Sequence, residues 1–274
     1  MLPVQLALVA YTRQADPADV SHVGAALQKQ AIRDLAPIWG VAATVDVFPS
    51  LRAVPAGYWP VIVVADVKDA AGYHQDSGGR PYALVEYSRS WSLTASHEVL
   101  EMLCDPWGHR VAAGRSPKPG QGQVEFLVEA CDPCEAAEYA YTLNGVLVSD
   151  FITPHFYDPR RTVAARYSFT GAVQRPRQIL PGGYISWWDP RSNHVWQELW
   201  VSEEKEFVDL GEGDFGSGMS LREFVDAHTE HPGIDKGLGE GDEALGDARD
   251  AWQGANDSAE ARGARLEEEL AGIL

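Results

Sequence analysis

Residues 90–106 read SWSLTASHEVLEMLCDP and predict a helix that is buried on most sides. Its apolar positions are Leu93, Ala95, Val99, Leu100, Met102 and Leu103. On the same helix His97 and Glu101 stand four positions apart on one face, with Glu98 about 100° further round. Because an unpaired carboxylate costs several kcal/mol or more to bury, the two glutamates need a partner, and a metal ion is the simplest one.

The order of these three residues is close to that of a zinc-hydrolase motif. In HExxH, two histidines one turn apart bind zinc and the glutamate between them activates the attacking water. Here the pattern is HExxE, with Glu101 in place of the second histidine. A carboxylate oxygen binds zinc at about the same distance as an imidazole nitrogen. The motif therefore predicts that His97 and Glu101 are metal ligands and that Glu98 is the general base, although HExxE also occurs by chance on solvated helices.

A third ligand has to come from a later part of the chain, and Asp105 is the first candidate. It follows His97 by eight positions and stands directly before Pro106, which should end the helix nearby. Asp105 therefore reaches a metal only if the chain folds back after the helix. Its alternative role is that of a turn residue at the helix C-terminus.

The segment EACDPCE at residues 129–135 supplies the next candidates. Glu129 and Asp132 follow an apolar run, VEFLV, that predicts a strand leading into the site. Both carboxylates can bind a metal, and both can instead pair with Arg110 or Arg115. We predict Asp132 as a further ligand of the same site.

The cysteines and one later histidine leave several interpretations open. Three cysteines are too few for a disulfide scaffold. Cys131 and Cys134 form C-x-x-C, which is redox-active, half of a zinc site that Cys104 could join, or simply a pair of buried thiols. The redox role ranks last, because no thioredoxin-like unit precedes the motif. His155 can be a ligand or a transition-state donor, but a lone histidine in such a segment is more often structural.

The net charge divides the chain into two parts. The 274 residues carry a formal charge of −18, and residues 201–274 hold 20 Asp/Glu against 6 Lys/Arg, while residues 1–200 hold 20 against 16. This balance argues against nucleic-acid binding, which needs a basic face. We predict a main domain at 1–202 and an acidic, Gly-rich extension with short helices at 203–274, one of them capped by Ser220. The extension could serve homo-oligomer or particle assembly.

The compartment is predicted from what the chain lacks. The N-terminus has no basic region ahead of an apolar run, as a signal peptide would. No apolar stretch reaches the roughly 18–20 residues that span a bilayer. We therefore predict a cytoplasmic protein without a membrane partner, with association with a virion as an alternative.

The apolar pattern predicts an α+β fold whose N-terminal part is α/β-like. Buried strands are expected at 4–11, 44–48, 61–67 and 82–88, and a helix follows the first of them. Residues 71–79, AGYHQDSGG, read as a loop, and the dipeptide Asn144-Gly145 predicts a hairpin turn. Later strands are expected at 165–171 and, as a strand–turn–strand unit, over 182–200.

This order of elements, with a buried HExx helix after a strand, resembles the N-terminal half of the zincin metallopeptidases. The chain also resembles an uncharacterised bacterial and phage group of zincin-like proteins over roughly residues 1–200. The motifs that carry this resemblance are SHEVLEMLCDP (96–106), EACDPCE (129–135), VSDFITPHFYD (148–158) and PGGYISWWDP (181–190).

The resemblance implies a mixed, twisted sheet with an active-site helix and a zinc-dependent hydrolase that acts on peptide or protein substrates. His97, Glu101, Asp105 and Asp132 would be the metal ligands and Glu98 the general base. In zincins the strand before the active-site helix can line the substrate cleft. The alternative is a structural or assembly protein that retains the scaffold without catalysis. Its metal site would be lost or would hold calcium, since most of the candidate ligands are oxygens.

Overall fold

The computed structural model of this protein describes residues 3–67, 70–200, 203–215 and 218–229, together with residues 246, 247, 250, 253 and 254. Within these ranges the strands form two five-stranded sheets and a small hairpin, and the chain also contains helices. This combination confirms the predicted α+β class. The helices are α1 (Pro17–Lys29), continued by a π-helical turn at Gln30–Leu35, α2 (Ala36–Trp39), α3 (Trp91–Cys104) and α4 (Leu221–His228). Among the residues described, no helix combines the length and apolar character needed to cross a membrane.

The first sheet holds the N-terminal third of the chain. Its strands are β1 (Val4–Ala10), β2 (Ala43–Phe48), β3 (Trp59–Val64), β4 (Gly72–Ser77) and β5 (Arg80–Glu86). They lie in the order β2-β1-β3-β5-β4, in which β4 alone is antiparallel to its neighbour. The central strands are nearly continuous apolar runs because both faces of the sheet are covered.

The two long helices pack on the same face of this sheet. Alternate residues of β1 divide between two apolar clusters, with Leu6 and Leu8 among the side chains of α1 and α3, and Ala7 and Val9 on the opposite face. α1 begins at Pro17 because the Asp16 side chain accepts a hydrogen bond from the Ala18 backbone N–H. The buried position predicted for the SHEVLE helix follows from this packing.

The prediction of a loop at 71–79 is wrong. Residues 72–77 form β4, which pairs along its length with β5, and the hairpin turns at Gly78 and Gly79, whose φ angles are 61° and 81°. The segment GYHQDS lacks apolar alternation because β4 lies at the edge of the sheet, where its residues other than His74 are only partly buried. Pairing with β5, rather than local sequence preference, makes it a strand.

The second sheet follows α3 and is antiparallel throughout. Its strands are β6 (Val111–Arg115), β7 (Gln123–Leu127), β10 (Tyr184–Asp189), β11 (His194–Leu199) and β12 (Glu206–Glu212), in the order β12-β11-β10-β7-β6. The predicted strand–turn–strand unit over 182–200 is therefore confirmed. Along the chain, between β7 and β10, lies the hairpin of β8 (Tyr141–Leu143) and β9 (Val146–Val148). Asn144 and Gly145 have φ angles of 53° and 83°, which confirms the predicted turn.

The prediction of a strand at 165–171 is wrong. This segment contributes only a single β-bridge, between Ser168 and Ile152.

The predicted domain boundary at residue 202 falls inside the second sheet. β12 pairs with β11 from Glu206 opposite Leu199 to Glu212 opposite His194. α4 packs its apolar face on the same sheet, and Ser220 caps it as expected, through reciprocal hydrogen bonds with Glu223. β12 and α4 therefore complete the main domain, because their apolar side chains are part of its packing. Apart from the five positions named above, the predicted extension after residue 229 lies outside the described residues.

A chain that ends at residue 202 should lose most of its stability. It lacks Leu210, Leu221, Phe224 and Val225, which are all buried, and each such side chain contributes about 1.5–3 kcal/mol when fully buried. The matched control is a chain that ends at residue 229 and keeps β12 and α4. Thermal denaturation, monitored by circular dichroism, should show a cooperative transition for the control. The shorter chain should melt at a much lower temperature or show no cooperative transition. Equal melting temperatures would contradict this packing.

Candidate metal centre

Three separate parts of the chain meet at one face of α3. This helix carries His97, Glu98 and Glu101, the edge strand β4 brings His74, and the 3₁₀ turn Asp132–Cys134 lies opposite. Glu98 and Glu101 are buried although both are acids, with only 6% and 2% of their surface exposed. The helix–sheet packing that buries α3 therefore also buries its charged face.

His97 lies close to two of the other predicted ligands, Glu101 and Asp132. His97 Nε2 lies 3.1 Å from Glu101 Oε2 and 3.2 Å from Asp132 Oδ1. In a tetrahedral zinc site, ligand atoms about 2.0–2.1 Å from the metal lie about 3.3 Å from one another. Asp132 Oδ1 is buried, and its contact with His97 is an ion pair. The structure thus brings together three of the four residues that were predicted as ligands.

Backbone groups hold Glu101 in place. Its Oε1 accepts hydrogen bonds from the backbone N–H groups of Cys131 and Asp132, at 2.9 and 3.3 Å. Burial alone would raise the pKa of Glu101, but the charge and hydrogen bond of His97 outweigh it and lower the pKa below its usual value. Glu101 is therefore an ionised carboxylate whose second oxygen, Oε2, faces His97. The same carboxylate and the neighbouring Asp132 raise the pKa of His97 well above its usual value, against the effect of burial.

His74 is a member of the site that the sequence did not indicate, because it lies in the segment predicted as a loop. It is 1% exposed, and its Nδ1 lies 3.2 Å from Glu98 Oε2 and 3.8 Å from Glu101 Oε2. Its Nε2 has no hydrogen-bond partner among the described residues. β4 can approach α3 this closely because Gly72 has no side chain: a Cβ there would lie 2.6 Å from Thr94 Cγ2.

Arg222 of α4 also enters the site, although no sequence pattern indicates it. Its side chain is 8% exposed, its Nη2 donates to the Glu129 carboxylate, and its Nη1 lies 3.3 Å from His74 Nδ1. Glu129 therefore pairs with Arg222 rather than with the expected Arg110 or Arg115. Burial and the neighbouring guanidinium lower the pKa of His74 well below its usual value, so its imidazole is neutral.

Asp105 has the geometry of a turn residue. Its two carboxylate oxygens accept hydrogen bonds from the backbone N–H groups of His109 and Arg110, at 3.1 and 2.9 Å. These bonds close the turn after α3. Among the described residues, the groups of side chains with metal-ligand spacing do not include Asp105. His155 is exposed and lies 2.8 Å from Asp158, outside the site. Asp105 and His155 therefore have the surroundings expected for structural residues, which was the alternative role given for each.

The cysteines near the site are free thiols. Cys104, Cys131 and Cys134 are all buried, and burial raises the pKa of each thiol well above its usual value. A thiol that stays protonated is a poor nucleophile and a poor metal ligand. Cys131 Sγ instead contacts the His97 carbonyl oxygen at 3.8 Å.

The site carries more negative than positive charge. We call it the acidic cluster, and its members are the carboxylates of Glu98, Glu101, Glu129, Asp132 and Glu135 and the imidazoles of His74 and His97. Burial raises the pKa of Glu98 and of Glu135 to about 8 and that of Asp132 to about 6. Without a further cation, several of these carboxylates must therefore hold protons near neutral pH. A divalent cation would displace those protons.

Comparison with known proteins does not assign a family. No family model matches the chain, and no curated protein or solved structure matches it either. The resemblance to zincins stated above therefore depends on the sequence motifs and the order of elements alone.

The metal-free protein should become more stable as the pH falls from about 8 to about 7. Glu98 and Glu135 have folded-state pKa values of about 8, well above the usual value of the unfolded chain, so in this range only the folded form keeps their protons. Each group then adds at most about 1.4 kcal/mol per pH unit to the free energy of unfolding. Urea unfolding at pH 7 and at pH 8, in the presence of a chelator, measures this free energy of unfolding. A lower stability at pH 7 than at pH 8 would contradict the proposed electrostatics of the acidic cluster.

Proposed function

We propose that this protein is a zinc-dependent hydrolase that cleaves peptide bonds. The observation that carries the proposal is that the buried carboxylates of Glu101 and Asp132 both face the imidazole of His97. Glu101 Oε2 and Asp132 Oδ1 lie 3.1 and 3.2 Å from His97 Nε2. Glu98 lies beside this set on α3, where an HExx motif has its general base. Peptide or protein substrates are the class that the resemblance implies.

The residues present fit a zinc ion. Asp132 Oδ1 and Glu101 Oε2 face the same imidazole nitrogen, His97 Nε2, at 3.2 and 3.1 Å. Glu101 is held ionised by His97 and accepts hydrogen bonds from two backbone N–H groups. An imidazole ligand favours zinc over calcium, which takes six to eight oxygen ligands. Zinc bound there supplies a Lewis acid that polarises a carbonyl group and increases the acidity of water.

The chain's own groups have separate roles in this proposal. Glu98 accepts the proton of the attacking water, since the positive charge of a bound cation would lower its raised pKa and leave it ionised at neutral pH. Glu101 is fixed by the turn that carries Asp132 and so orients the ligand set. β4 forms the edge of the first sheet next to α3, and such an edge can pair with an extended peptide.

The second candidate is a structural or assembly protein that keeps the scaffold without turnover. Arg222 favours it, because its guanidinium already brings one positive charge into the acidic cluster and pairs with Glu129. In that case the cluster would hold the first and second sheets together through α3 and α4. Metal binding would be absent, or calcium would take the place of zinc.

Glu98→Gln distinguishes the two candidates. The change keeps the shape of the side chain and removes the base, so peptide cleavage should fall by about 10²–10⁴-fold, the usual contribution of a general base. Zinc bound through His97 should remain. The measurement is cleavage of a peptide library by zinc-loaded wild type and variant, with zinc content determined in both. Glu125→Gln on β7, outside the acidic cluster, is the matched control and should cleave like the wild type.

Two results would contradict the enzyme proposal. Equal cleavage by wild type and Glu98→Gln would exclude Glu98 as the base. Absence of cleavage by the zinc-loaded wild type across the library would favour the structural candidate.

A further inference from the structure

Residues 159–177 form a basic surface on an acidic chain. The segment contains five arginines and no aspartate or glutamate, whereas the whole chain has 22 Lys/Arg against 40 Asp/Glu. Four of these arginines are exposed, namely Arg160, Arg161, Arg166 and Arg175. None of the four forms an ion pair with a residue that the structure describes. Unpaired positive charge of this density favours an acidic partner.

Hydrogen bonds to the body of the domain fix this segment, although residues 159–177 form neither a helix nor a strand. The Thr153 hydroxyl donates to the carbonyl oxygen of Arg166 at 2.6 Å, and the Thr153 backbone N–H donates to that of Tyr167 at 3.0 Å. The Tyr167 hydroxyl accepts a hydrogen bond from the backbone N–H of Thr162 at 2.6 Å. Because the surface is already ordered, a partner loses little binding free energy in ordering it.

A cleft of about 320 Å³ opens within this segment, and we call it the arginine cleft. Tyr167 and Val173 are the buried residues of its lining, and Arg161 and Arg166 are exposed beside them. Its volume is near the lower end of the range of ligand sites, about 300–1,000 Å³. The arginine cleft therefore has room for a few side chains and not for the face of another domain.

The arginine cleft offers apolar contacts as well as positive charge. Val163 lines it and is 101% exposed, more than any other large apolar side chain among the described residues. Ala164 and Ala165 stand next to it in the same lining. A short segment that carries both carboxylates and leucines would match this combination.

The C-terminal segment of this chain has that composition. Residues 264–274 read ARLEEELAGIL, with three successive glutamates at 267–269. Leu266, Leu270 and Ile273 follow one another at intervals of four and three, which is the spacing by which an amphipathic helix presents its apolar face to a groove.

The chain is long enough to bring this segment to the arginine cleft. Asp247 Oδ2 accepts a hydrogen bond from the Tyr11 hydroxyl at 2.8 Å, so the extension contacts the end of β1 before the segment begins. Leu266 follows Gly254 by 12 positions, and an extended chain of that length spans about 40 Å. A domain of about 230 residues has a radius of gyration of about 17 Å, so this reach is comparable to the width of the body.

We propose that residues 264–274 dock onto the arginine cleft of the same chain. The glutamates at 267–269 would face Arg161 and Arg166, and the leucines would contact Val163. None of the residues that line the arginine cleft belongs to the acidic cluster, so the inference is independent of the proposed function. A short tether gives an effective concentration of about millimolar, at which even a weak contact is mostly formed.

The test uses a fluorescent peptide of residues 264–274 and full-length protein, with binding followed by anisotropy. The receptor carries Leu266→Ser and Leu270→Ser, so that its own segment leaves the arginine cleft open. It should bind the peptide at least about tenfold more tightly than the wild type, in which the cleft is occupied. Arg161→Glu added to this receptor should weaken binding about fivefold. The matched control, Arg52→Glu at an exposed arginine outside the segment, should leave binding unchanged.

A second measurement locates the segment within the whole chain. Val163→Cys and Leu270→Cys together should form an intramolecular disulfide under mild oxidation, because the three native cysteines are buried and do not compete. Peptide mass mapping identifies the bond, and gel filtration gives the oligomeric state. The control pair, Arg52→Cys with Leu270→Cys, should stay reduced.

Several results would overturn the proposal. Equal peptide binding by the wild type and the receptor, or none by either, would show that the chain's own segment does not occupy the arginine cleft. A scrambled peptide that binds as tightly would show that the arginines attract any acidic chain. A disulfide found only between two chains would assign the arginine cleft to a second copy.

Discussion

The structure depends on how it compensates carboxylates that its own packing buries. α3 is apolar on most sides, so burying it against the first sheet and the β8–β9 hairpin also removes Glu98 and Glu101 from water. Ionised side chains in such a place need hydrogen bonds, opposite charges or a bound cation. The neighbouring elements supply part of this: backbone N–H groups of the 3₁₀ turn bind Glu101, and Arg222 pairs with Glu129. The remaining charge is what makes the acidic cluster a candidate metal centre.

The same requirement links parts of the chain that are far apart in sequence. β4 brings His74 from one sheet, the turn after β7 brings Asp132 from the other, and α4 brings Arg222 from beyond the predicted domain boundary. Each side chain reaches α3 only if its own element is in place. A site that needs all of these elements is sensitive to the packing of the whole domain, which also explains why β12 and α4 cannot be treated as a separate tail.

The sequence predicted α3 and its acids, the apolar strands of the first sheet and the turn at Asn144, because burial periodicity and turn chemistry are local signals. It also predicted Asp132, since a carboxylate after an apolar strand is a visible pattern. His74 was missed because an edge strand is half exposed and shows no alternation, so AGYHQDSGG looked like a loop. Arg222 was missed because a single arginine in an acidic segment carries no pattern that predicts its burial. Both positions are set by long-range pairing and packing, which local sequence does not encode.

The most direct test is the melting temperature of the chelated full-length protein as Zn²⁺ is added. A ligand that binds only the folded state stabilises it by about 2.7 kcal/mol at a concentration 100 times its dissociation constant. If the acidic cluster is a metal centre, micromolar zinc should raise the melting temperature by several degrees, and the same concentration of Ca²⁺ should have little effect. An unchanged melting temperature with zinc, in protein that still melts cooperatively, would contradict the account.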